Sequence, residues 1–153
     1  MANTYTRCYF HLVFAVRNRD ALIKEHWRPE LEKYITGIIQ SYKHKLLAIN
    51  AMPNHIHILI GYHVNQLIPD LVEEIKTGSN AFINGRGFLD SHFQWQNGYG
   101  AFTVSHHELA PVIKYIIKQQ EHHRKAIFRD EYLDLLRANE IEYKDEYLFD
   151  FFE

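Results

Sequence analysis

The chain reads as an α+β fold of the ferredoxin-like or RRM-like plait type, an antiparallel sheet with helices on one face, extended by C-terminal helices. Three observations predict it. The elements run strand, helix, strand, strand, helix, strand, which is the split βαβ order. Two apolar runs are separated only by Pro53-Asn54, the mark of a tight hairpin. Helical periodicity then resumes beyond the last strand.

Each element follows from local pattern. Tyr9 to Val16 alternates and is β-branched or aromatic, so it reads as a strand ending in Arg17-Asn18-Arg19-Asp20. Between Trp27 and Tyr42, Leu31, Tyr34, Ile35, Ile38 and Ile39 recur at helical spacing, with Pro29 tolerated in the first turn. Leu46 to Met52 and His55 to Gly61 form the hairpin arms. Gln66 to Phe82 carries Leu67, Leu71, Ile75 and Phe82 near one face, a second helix expected to yield at Asn84-Gly85-Arg86-Gly87. Phe102 to Val104 is a short fourth strand, Ala110 to about Lys125 a third helix, and Phe128 to about Arg137 another short one.

The 153 residues, 46% of them hydrophobic, suit one domain spanning 1–153, its end (128–153) an acidic, aromatic tail. A lone cysteine, Cys8, and an N-terminus without an apolar leader point to a reducing, cytoplasmic setting. No apolar run approaches the ~20 residues that span a bilayer, so no membrane partner is expected. The net charge of −2 hides an asymmetry. Residues 128–153 hold nine acidic and three basic side chains, whereas 1–127 hold ten acidic and fourteen basic ones. A basic body allows a phosphate-rich partner without requiring one.

The chemistry-bearing pattern is Pro53-Asn54-His55-Ile56-His57-Ile58-Leu59-Ile60. Side chains at i and i+2 of a strand project to one side with Cα atoms about 6.5 Å apart, so two imidazoles can converge on one cation. The same alternation also describes a half-buried strand with its histidines toward solvent. On the third helix, Tyr115 and Gln119 are stacked at i and i+4, a pairing that equally fits a core aromatic with a boundary amide. Together the four residues make a set for metal-assisted phosphoryl transfer, with Tyr115 as nucleophile.

In these motifs the chain resembles the single-tyrosine HUH transposases of bacterial insertion sequences, the IS200-like transposases, including the REP-associated tyrosine transposases. The resemblance runs through His11-Leu12-Val13-Phe14 with Arg17-Asn18-Arg19, through Met52-Pro53-Asn54-His55-Ile56-His57, and through Trp95-Gln96-Asn97-Gly98-Tyr99-Gly100-Ala101-Phe102. It closes with Tyr115-Ile116-Ile117-Lys118-Gln119-Gln120-Glu121-His122-His123. It implies His55, His57 and Gln119 as metal ligands, Tyr115 as the catalytic nucleophile, magnesium or manganese as cofactor, and single-stranded, hairpin-bearing DNA as partner. It also implies nicking and rejoining through a 5′-phosphotyrosine without ATP, and a homodimer with shared active sites, the third helix crossing to a neighbour. Asn54 departs from the acidic residue often found there in relatives. His122 and His123 either stand behind the ligands, contact DNA, or are simply exposed.

Arg17, Arg19, Lys43 and Lys45 are candidate DNA-binding residues at element ends. Trp95, Tyr99 and Phe102 fit either base stacking or core packing. Two other readings stand beside the transposase: a noncatalytic hairpin- or single-strand-binding module on an RRM-like sheet, and a metal-dependent phosphodiesterase that leaves Tyr115 idle.

Overall fold

The computed structural model describes residues 3–152. Its strands β1 (Cys8–Ala15), β2 (Lys45–Ala51), β3 (His55–Tyr62) and β4 (Gly100–Val104) form one antiparallel sheet in the order β2-β3-β1-β4. Helices α1 (Arg28–Ser41) and α2 (Ile68–Arg86) interleave with them, so the expected plait is observed. After β4 come a 3-10 turn at His106–Glu108, α3 (Leu109–Ile117), α4 (Gln119–His122), α5 (Phe128–Ala138) and a second 3-10 turn at Asp145–Tyr147. No helix among the described residues is long and apolar enough to cross a membrane.

Alternation sorts β3 between two layers. Ile56, Ile58 and Ile60 are fully buried in the core shared with α1 and α2, through Leu31, Ile35, Leu71 and Ile75. Burying each such side chain contributes about 1.5–3 kcal/mol. The opposite face carries His55, His57 and Leu59. There Leu59 joins Ala48 of β2, Val104 of β4 and Ile116 of α3 in a second apolar cluster. The Asn50 side chain on β2 donates to the carbonyls of Ile116 (2.9 Å) and Ile117 (3.2 Å), tying the end of α3 to the sheet.

Two local expectations are corrected and one open alternative is resolved. The helix α2 runs through Asn84-Gly85-Arg86 and stops only at Gly87, whose φ of +67° is the left-handed cap that glycine takes without strain. Asn84 stays helical because its side chain donates to the Phe93 carbonyl and accepts from the Phe93 amide. The third helix is broken at Lys118 (φ −94°, ψ 24°), a break unmarked by glycine or proline, so Tyr115 and Gln119 lie on two short helices. Trp95 and Phe102 are core residues rather than exposed stacking platforms, and Trp95 donates through Nε1 to Ser79 Oγ at 2.8 Å.

The acidic, aromatic tail folds back on its own chain. Gln96 donates to the Asp150 carbonyl and accepts from the Asp150 amide, both at 2.8 Å. Phe149 packs against Phe128 and Tyr132 of α5.

Candidate active site

The β3 histidines are held by strand register. Both are completely buried on the α3 side of the sheet, because α3, α4 and α5 cover the face that an isolated strand would leave wet. His55 Nδ1 donates to Asn54 Oδ1 at 2.7 Å, so the amide at position 54 supplies the oxygen that fixes the ring. On the other side His55 stacks on Phe128, with centroids 3.9 Å apart and planes within 8°. His57 Nδ1 lies 2.8 Å from Nε2 of the buried His11. With both Nδ1 atoms engaged, both Nε2 atoms face inward.

They face Glu131. This α5 carboxylate is only 8% exposed. Its Oε1 lies 3.0 Å from His57 Nε2, 3.3 Å from His123 Nε2 and 3.5 Å from His55 Nε2. Its Oε2 accepts from the Tyr115 hydroxyl and from Gln119 Nε2, the latter at 3.0 Å. Gln119 is itself fully buried, and its Oε1 lies 3.0 Å from His123 Nε2. Tyr115 is half-buried and set edge-on to His57.

The electrostatics follow from burial. Burial, then the neighbouring His57, pushes His11 down to about 3, and burial brings His55 down to about 4, so both imidazoles are neutral at physiological pH. Burial, then the Glu131 carboxylate, drives the Tyr115 phenol well above its ordinary range. Burial alone would raise Glu131, but the surrounding imidazole edges of His123, His55 and His57 outweigh it and hold the group well below the usual carboxylate range. The result is a buried anion whose partners are imidazoles, a phenol and a carboxamide.

This arrangement fits a divalent cation. Among the described residues the ion-pair partners of Glu131 are histidines, and a buried carboxylate so placed is costly unless a positive charge compensates it. His55 Nε2 is buried without a hydrogen-bond partner. The ligand atoms of His55, His57 and Glu131 lie within 4.8 Å of one another, close enough to share one ion. Outer groups that orient ligating imidazoles, as Asn54 and His11 do here, are a usual part of such centres.

The sequence-predicted residues are thus partly assembled. His55, His57, Tyr115 and Gln119 converge within one chain. Glu131 went unrecognised in the sequence, and it faces both imidazoles from the side where a third ligand belongs. A cavity of about 330 Å³ opens beside Tyr115, lined by His122, His123, Glu131 and Asp134 among others. Arg17 and Arg19 follow β1 at the His55 end of the sheet, where Arg17 donates to Gln94 and Arg19 lies over the Phe152 ring. Lys43 and Lys45 are at the far end, since Lys45 pairs with Gly61, about 20 Å along β3 from His55 at the usual strand rise.

Comparison with known proteins agrees with this layout. A family model described as "Transposase IS200 like" matches residues 4–119. The ISDra2 transposase TnpA of Deinococcus radiodurans is 26% identical over 117 residues, covering 73% of this chain and 84% of that protein. A Deinococcus radiodurans structure assigned as a transposase superposes with a TM-score of 0.61 at 23% identity, covering 78% of this chain and 95% of the other. A REP-associated tyrosine transposase bound to a REP hairpin gives 0.60 at 15% identity, covering 100% and 93%.

Proposed function

Because this chain belongs to the IS200-like transposase family, we propose that it nicks and rejoins single-stranded DNA at hairpin-bearing ends, with Tyr115 as nucleophile. The observation that carries the reading is the convergence of the Tyr115 hydroxyl and the His55 and His57 Nε2 atoms on the two oxygens of one buried carboxylate. A divalent ion, magnesium or manganese by family resemblance, would be held by His55 and His57 with Glu131 or Gln119, polarising the scissile phosphate and offsetting its developing charge.

The chain's own part in the reaction follows. The Tyr115 hydroxyl gives up its proton as its oxygen bonds to phosphorus, the bond to the 3′ oxygen breaks, and that oxygen takes up a proton, so the strand leaves with a 3′-hydroxyl while the 5′ side stays on the tyrosine. Rejoining is the same exchange in reverse, so it requires no ATP. Arg17 and Arg19 sit where they can hold backbone phosphates near the centre, while Lys43 and Lys45 are suited only to DNA extending past the other end of the sheet. The hairpin-bound REP-associated relative supports a hairpin partner.

A homodimer remains part of the proposal, but the geometry favours self-contained sites. A shared arrangement would put the partner's Tyr115 where this chain's own tyrosine already lies, and would break the Asn50 bonds to the end of α3.

The test is incubation with a hairpin-bearing single-stranded oligonucleotide and manganese, followed by a denaturing gel. The expected result is a covalent adduct in the wild type and none in Tyr115→Phe. An adduct that persists in Tyr115→Phe, or in excess chelator, overturns the reading.

A further inference from the structure

We propose that Glu131 is a bridging residue of the catalytic centre: its Oε1 serves the cation held by His55 and His57 while its Oε2 holds the phenol of Tyr115, so one carboxylate links metal to nucleophile. The proposal rests on the reading of Tyr115 and the histidine pair given above. It goes further in assigning a role to a residue outside the family-matched segment, which ends at residue 119.

The geometry divides the two oxygens cleanly. Oε1 collects the imidazole edges of His57, His55 and His123. Oε2 collects the groups from α3 and α4, the Tyr115 hydroxyl and the Gln119 amide. No acceptor other than Glu131 is bonded to the Tyr115 hydroxyl among the described residues, so this carboxylate alone sets the direction of the O–H bond. With the hydrogen turned inward and the Gln119 side chain also against the oxygen, a lone pair remains for the cavity that His122 and Asp134 help to line, the open side from which a phosphate can approach.

Helix packing gives Glu131 its rigidity. Phe128, one turn earlier on α5, is pinned between His55 and Phe149, and the next residue, Tyr132, packs on Phe102 of β4. A carboxylate so anchored loses little freedom when it binds an ion, which is the advantage of a preorganised ligand.

The test uses full-length protein with manganese alone and then with the hairpin oligonucleotide. Glu131→Gln keeps the shape and removes the charge, Glu131→Asp keeps the charge and retracts it, and Asp130→Asn, exposed on the same helix, is the charge control. Manganese affinity, read by electron paramagnetic resonance, is expected to fall ten- to a hundredfold in Glu131→Gln and to stay within twofold in Asp130→Asn. Manganese is also expected to perturb tyrosine absorbance in the wild type, with the change absent in Tyr115→Phe and in Glu131→Gln. At saturating manganese, Glu131→Gln should form adduct at least tenfold more slowly with hairpin affinity unchanged, and Glu131→Asp should recover part of that loss.

Manganese affinity unaltered in Glu131→Gln overturns the bridge, as does a metal-induced tyrosine signal that survives in that variant. A wild type that shows both metal effects yet forms no adduct with DNA leaves the bridge standing and overturns instead the assignment of Tyr115 as nucleophile.

Discussion

His11 Nε2 stands 2.8 Å from His57 Nδ1 across the β1–β3 ladder. The two are diagonal neighbours, since His57 pairs directly with Val13 and His11 with Leu59. A neutral imidazole has one protonated nitrogen. If His57 Nδ1 carries the hydrogen and donates it to His11, the Nε2 lone pair is free for a cation. His11 is suited to accept because burial keeps it uncharged.

His11→Phe should therefore weaken manganese binding about ten- to a hundredfold, the usual cost of losing an orienting partner. Titration with manganese in the absence of DNA reads this directly. Affinity unchanged from wild type would sink the tautomer argument.

His57→Ala should abolish adduct formation while leaving hairpin affinity within a few fold, because Arg17 and Arg19, proposed above to hold phosphates, are untouched. Gel shifts and denaturing gels run in parallel separate the two effects. A variant that loses hairpin binding as well would show His57 to be needed for the fold.

Mixing inactive His57→Ala and Tyr115→Phe proteins under conditions of subunit exchange should restore no adduct. With self-contained sites every site in the mixture keeps one lesion. Shared sites would instead return about a quarter of wild-type activity by site counting, for independent sites in a two-fold dimer.

Gly100→Ala should destabilise the protein by about 1–3 kcal/mol, the range for an added methylene in a packed core. Its Cβ would sit 2.8 Å from Phe102 Cζ and 3.0 Å from Tyr132 Cε1, and both rings are buried. Urea unfolding measures the loss, and an unchanged midpoint would mean that the two rings yield freely.

Lys76 gives a pH prediction. Its ammonium is enclosed over Phe14 and donates to the carbonyls of Gln96 (2.8 Å) and Gly98 (2.6 Å), and burial lowers it from 10.5 to about 8. Between these values the unfolded chain binds more protons than the folded one, so stability rises with pH. The stability present above 10.5 is lost as pH falls through about 8. Urea midpoints of wild type minus Lys76→Met should climb across that window, and a flat difference would refute the shift.

The plait and the histidine pair were legible because they depend on short-range pattern. Alternation put His55 and His57 on one face, and the Pro53-Asn54 turn fixed the strand on which they lie. Their burial was not legible, since it depends on which helices cover the second face of the sheet. Glu131 was missed because its partner His57 is 74 residues away in the chain. One signal did exist: Glu131 lies three residues after Phe128 and four before Leu135, a charge within the apolar stripe of a helix. The break at Lys118 had no comparable mark, because nothing in Ile117-Lys118-Gln119 disfavours helix locally.

The placement of Glu131 on α5 also fixes an order of assembly during synthesis. Chains emerge from the ribosome N-terminus first, at roughly 5–20 residues per second. The sheet and the imidazoles of β3 are made before the tyrosine, and the carboxylate that joins them comes after both. A nascent chain can thus build its β-scaffold while the proposed centre is still open on one side, and closure waits for the helix that brings Glu131.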